Sequence, residues 1–118
     1  MNYEFVYEED FLIIRLSGTA GVNERLFVEE YLAPHLLQSC QKVIVDLDSL
    51  NETGGVFLLG VLNTIKKKFQ LLGGEIKLCS LKPELYRYFQ ENRLDQIFDI
   101  GQSVEEMKAK FIKKSNAD

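Results

Sequence analysis

The chain has 118 residues, enough for one domain with a real core and too few for two. Its net charge of −4 argues against nonspecific nucleic-acid binding, and no apolar run approaches the length needed to span a bilayer. The acidic N-terminal region, with Glu4, Glu8, Glu9 and Asp10, lacks the pattern of a signal peptide, so the cytoplasm is the expected compartment.

In chain order, Tyr3–Tyr7 and Phe11–Leu16 read as two strands joined at Glu8, Glu9 and Asp10, a hairpin. Asn23 is placed to cap a helix over Glu24–Leu37, apolar on most sides through Leu26, Phe27, Val28, Tyr31 and Leu32. Pro34 lies inside it and predicts a disturbance, because it has no amide to give to Glu30. His35, beside that break, reads as a surface or helix-end residue.

Val43–Val45 with Leu47 is a nearly continuous apolar run, the pattern of a central strand buried on both faces of a parallel sheet. A polar turn follows, carrying Asp46, Asp48, Asn51, Glu52, Thr53, Gly54 and Gly55. The next helix has Leu58, Val61, Leu62, Ile65, Phe69 and Leu72 at helical spacing, and Gly73 and Gly74 close it. Lys66, Lys67 and Lys68 fall away from that stripe and read as a solvated face. Glu75–Ser80 is the next strand, Pro83 opens a helix to about Asn92, and Ile97–Ile100 is a short strand. Ser103 and Glu106 form a capping-box pattern for a last helix with Val104, Met107 and Phe111 inward, and residues 113–118 are expected to fray.

The order β-β-α-β-α-β-α-β-α predicts a single α/β domain over residues 1–118, a mixed and mostly parallel sheet of four to five strands with helices packed against it. Sites in such sheets lie beyond the carboxyl ends of the strands, where the Asp46–Gly55 turn falls. A helix start there offers free amides and the positive end of a dipole, so a phosphate would be stabilised on it. Cys40 and Cys79 stand singly and read as free thiols, and one histidine makes a metal site or hydrolytic triad an unpromising reading. Asp46, Asp48 and Glu52 could in principle do acid–base chemistry, yet loop carboxylates usually cap and solvate.

The whole chain resembles the STAS domain (sulphate transporter and anti-sigma factor antagonist) in its stand-alone bacterial antagonist form. Phe11–Gly18 resembles the family's second strand, Val43–Leu47 its central strand, and Gly73–Leu78 the glycine pair and strand after its signature helix. Glu52–Val56 resembles the signature turn, with Glu52 at the aspartate position, Thr53 at the phosphoacceptor position and Gly55 at the motif glycine. Gly54 replaces a common Ser or Ala, and Phe57 a frequent glycine.

The resemblance implies a non-enzymatic regulatory domain without a cofactor. Its partner would be an anti-sigma factor kinase or a related signalling protein, and phosphate on Thr53 would switch that binding off; weak self-association is a separate expectation that the resemblance does not supply. Val56, Phe57, Gly60 and Thr64 lie off the core stripe near the turn and form the expected docking patch; Phe57 could equally pack under the Thr19–Asn23 loop. Two alternatives stand beside this reading. One is a small nucleotide- or anion-binding domain using the helix start at Thr53–Gly55. The other is an unmodified structural subunit of a signalling complex.

Overall fold

A computed structural model describes the backbone at residues 1–36, 42–51 and 56–116, with every side chain in those ranges except Val56 and residues 113–116. Leu37, Cys40, Glu52, Thr53, Gly54 and Gly55 lie outside the described residues.

The chain builds a mixed five-stranded sheet in sequence order, β1 (Asn2–Glu8), β2 (Phe11–Gly18), β3 (Lys42–Leu50), β4 (Glu75–Cys79) and β5 (Asp99–Gly101). The first two strands pair antiparallel through a hairpin that ends at Glu8 opposite Phe11, with Glu9 at a φ of 56° in its turn. All later pairs are parallel, so each needs a crossover, supplied by α1 (Glu24–Leu36), α2 (Val56–Gln70) and α3 (Pro83–Glu91). Crossovers of one hand place these helices on one face. The last described helix, α4 (Val104–Asn116), covers the other face.

The strands' alternation divides the core accordingly. Leu12, Ile14, Val43, Val45 and Leu78 meet Val28 and Leu32 of α1, Leu62 and Phe69 of α2, and Phe89 of α3. Ile13, Ile44 and Cys79 point the other way, onto Met107 and Phe111 of α4. Lys77 is buried on that same side, where it pairs with Glu75 at 3.2 Å and with Asp99 and lies 4.7 Å from the ring centre of Phe111.

Helix ends follow their local chemistry. Gly73 takes a φ of 80° and donates its amide to Gln70, while the Gly74 amide reaches Phe69 at 2.7 Å, a Schellman closure. Ser103 Oγ accepts the Glu106 amide, and the Glu106 carboxylate reaches back to the Gln102 amide, one residue before the expected partner.

Several expected boundaries move. α1 continues through Pro34 to Leu36: so near the end, the proline forfeits one ladder bond and leaves little helix to redirect. α2 stops at Gln70, which leaves Leu72 in the closing turn and half exposed, outside the stripe it was assigned to. A 3-10 turn at Leu94–Gln96 precedes β5, so Ile97 is exposed and the strand begins later, at Asp99.

Candidate functional site

The end of β3 enters the polar turn, and it stays a strand longer than the run of polar residues suggests. Asp46, Asp48 and Ser49 all belong to β3, which pairs with β2 as far as Leu50 opposite Gly18. Asp46 and Asp48 are therefore strand residues, a correction to their placement in the turn. Asp46 alternates with Ile44 onto the α4 side of the sheet and is half-buried there, whereas Asp48 is exposed.

Asp46 has a structural partner there. Its carboxylate lies 3.5 Å from Arg15 Nε, and Arg15 also holds Glu4 at 3.2 Å, so three neighbouring strands carry a charge ladder in register. Asp46 Oδ1 further accepts the Asp48 amide at 3.1 Å. Of the carboxylates considered for acid–base work, Asp46 is thus one side of a cross-strand ion pair and Asp48 an exposed strand residue, while Glu52 lies outside the described residues.

Between Arg15 and Ser17 the partner residues jump from Asp46 to Ser49, so β3 carries one extra residue. That bulge reverses the alternation and returns Leu50 to the main core. Two hydrogen bonds then pin the entry to the turn. The Asn51 amide donates to the Gly18 carbonyl at 2.9 Å, and Lys82 Nζ donates to the Leu50 carbonyl at 2.7 Å. Gly18 has a φ of 87°, where a side chain would be strained.

Across the turn, α2 begins at Val56. Phe57 on its first turn is 46% exposed, and Gly60 and Thr64 are half-buried on the same helix face. The Thr64 hydroxyl donates back to the Gly60 carbonyl. Beside Phe57 lies a shallow depression lined also by Val22, Arg25 and Asn63. Sequence reading did not single out these three. Val22 lies in the turn before α1 and Arg25 on its first turn, and only the packing of α1 on α2 brings them beside Phe57. Phe57 thus borders the loop before α1 at Val22 and keeps nearly half its surface in solvent.

Other candidates resolve locally. Cys79 is fully buried and burial pushes its thiol up to about 11, so it stays protonated among apolar neighbours. His35 stacks on Phe5 at 3.7 Å and meets the Tyr7 hydroxyl at 2.7 Å, joining the end of α1 to β1. Among the described residues no cluster of His, Cys, Asp and Glu is suited to a metal ion, and no helix is long and apolar enough to cross a membrane.

Known proteins share this architecture. An anti-sigma factor antagonist of Thermotoga maritima superposes with a TM-score of 0.79 at 22% identity, over 92% of both chains. A serine-to-glutamate variant of RsbS from Moorella thermoacetica gives 0.76 at 18% identity, over 98% of this chain and 99% of that one. The phosphorylated form of the Bacillus cell fate determinant SpoIIAA gives 0.64 at 15% identity, over 94% and 99%. At these identities the likeness is one of fold, that of the anti-sigma factor antagonists. The model of the STAS domain matches residues 2–107, nearly the whole sequence, and the chain belongs to the STAS domain family.

Proposed function

We propose that this protein is a regulatory binding domain of the cytoplasm whose partner is another protein, an anti-sigma factor kinase or a related signalling protein, and that phosphate on Thr53 releases that partner. The observation that carries the reading is Phe57. A half-exposed aromatic ring on the first turn of α2, next to the exposed Val22 and the small Gly60, is what a contact residue requires and what solvent exposure alone does not favour. Thr53 lies just before this turn in the chain, at the acceptor position of the family's signature. Solution of the SpoIIAA structure in a phosphorylated form supports modification on this fold.

The direction of the switch follows from charge. Phosphorylation adds about 1.5 to 2 negative charges. In sequence the acceptor has Glu52 beside it and Asp48 shortly before. The amides of a helix start tolerate the group locally, whereas a partner pressed against the same turn meets repulsion and the cost of desolvating it.

The test is a pull-down from native cytoplasm with wild type and Thr53→Glu, read by mass spectrometry. A kinase-like protein retained by wild type and lost by the variant, with phosphate on Thr53 in the wild type, is the expected result. The same partner in both lanes removes the switch. Retention of no protein, together with stabilisation by nucleotide, replaces this reading by an anion site at the helix start.

A further inference from the structure

The outer faces of α1 and α2 meet in a shallow groove that the core does not use. At one end Val22 and Phe57 flank Gly60; at the other Leu26 and Leu71 flank Lys67 and Lys68. Arg25 runs along the whole of it, and its stem passes over Gly60, where an added Cβ would lie 3.8 Å away. All four apolar end residues are exposed, Leu71 at 82%.

The charge of this groove runs against that of the chain. The protein carries −4, yet among the described residues lining this groove Arg25, Lys67 and Lys68 meet one acid, Glu29, which lies 3.9 Å from Lys68. The side chains of Arg25 and Lys67 have no ion pair or hydrogen bond among the described residues. Lys66 at its border is turned to the Ile97 carbonyl at 2.8 Å and to the Phe98 ring. Arg25 and Lys67, without an ion pair among the described residues and set between two apolar ends, complement a ligand that is apolar at its ends and anionic between them. From Phe57 to Gln70, α2 runs about 20 Å at a rise of ~1.5 Å per residue, which matches roughly four turns of a partner helix. A trough between two helices suits a rod better than a planar lipid surface.

We propose that this groove takes an acidic amphipathic helix of a partner protein, its apolar side chains seated at the Phe57 and Leu71 ends and its carboxylates against Arg25 and Lys67. The inference rests on the reading of the protein as a partner-binding domain and adds the chemistry of what is bound. The N-terminal acidic run of a second copy does not offer such a helix: Glu8 ends β1, Glu9 and Asp10 turn the hairpin, and Glu8 is held by Lys108 at 2.7 Å. An acidic occupant also gives Thr53 phosphate a target, since Thr53 precedes Phe57 closely in the chain and its phosphate would carry the same sign of charge as the occupant.

The test is a displayed library of helical peptides with a fixed apolar face and randomised polar positions, selected on the full chain. Enriched peptides should be acidic. They should bind more weakly as salt rises, and Arg25→Glu with Lys67→Glu should lose about tenfold or more in affinity. Both residues are exposed, so an unchanged circular dichroism spectrum verifies that the double variant is folded. Enrichment of basic or uncharged peptides, equal binding by the double variant, or no enrichment overturns the proposal. So does binding to vesicles of phosphatidylserine and phosphatidylcholine that needs Arg25 and Lys67 while no peptide binds. Acidic peptides that bind wild type and Thr53→Glu equally keep the groove and remove the phosphate switch. A native partner lost by Thr53→Glu, with no acidic peptide enriched, keeps the switch and removes the groove.

Discussion

Lys82, the residue before α3, donates its ammonium to the carbonyl of Leu50, the last residue of β3, at 2.7 Å across 32 positions of sequence. The bond ties the strand that enters the signature turn to the helix three elements later. It satisfies a carbonyl that β4, ending opposite Asp46, does not reach.

Removing it should loosen the turn's entry without dismantling the core. Lys82→Ala is expected to cost about 1.5 kcal/mol, the low end for a hydrogen bond to a charged group because the site is only partly buried. Urea denaturation gives the magnitude. Amide hydrogen exchange should show Asn51, bonded to Gly18, exchanging faster while the amides of Val43–Val45 keep their protection.

The stripe of α2 separates into core and surface, and truncation should report the difference. Leu62→Ala is expected to cost about 2–5 kcal/mol, since the side chain is fully buried among α1 and the sheet. Leu72→Ala should stay within about 0.5 kcal/mol, because Leu72 sits past the helix end and half in solvent. Equal costs at the two positions would contradict the observed end of α2 at Gln70.

The contrast shows what the amino-acid order carries and what it leaves to packing. Element order was legible because each strand and helix buries its own periodic face: Ile13 and Ile14 point to opposite sides of one strand, and Leu58, Leu62, Ile65 and Phe69 to one side of one helix. The end of β3 was not. Asp46 and Asp48 look like turn residues until the pairing of β3 with β2 and the Arg15 partner are known. Lys77 alternates as a solvent residue should, yet α4 folds Phe111 over it. The face of Phe57, Gly60 and Thr64 could be drawn on a helical wheel. Arg25 and Val22 could not be added to it, because a groove between two helices exists only in their packing. Leu26, Phe27 and Tyr31 are apolar and exposed, and periodicity cannot tell such a surface from core.

Gly101 in β5 leaves no room for a side chain. A Cβ there would fall 1.9 Å from Met107 Cε and 3.0 Å from its sulphur, and Met107 is fully buried against the sheet. Gly101→Ala should therefore destabilise by about 1–3 kcal/mol through overpacking. In a Met107→Ala background the same change should cost less, with a coupling of about 1 kcal/mol in a double-mutant cycle. Additive costs would place the strain elsewhere.

His35 is the remaining group whose protonation the fold resists. Its ring stacks on Phe5 at 12° to the plane, its Nδ1 meets the Tyr7 hydroxyl, and burial holds its pKa below the ordinary 6.5. The unfolded chain thus takes up this proton at a higher pH than the folded one. The stability contributed by neutral His35 is complete above about pH 6.5 and is lost as the pH falls through the folded value. His35→Phe keeps a ring on Phe5 and removes the titration. Relative to that variant, the urea midpoint of the wild type should fall between about pH 7.5 and pH 5. Parallel midpoints for the two proteins over that range would show that another group governs the acid limb.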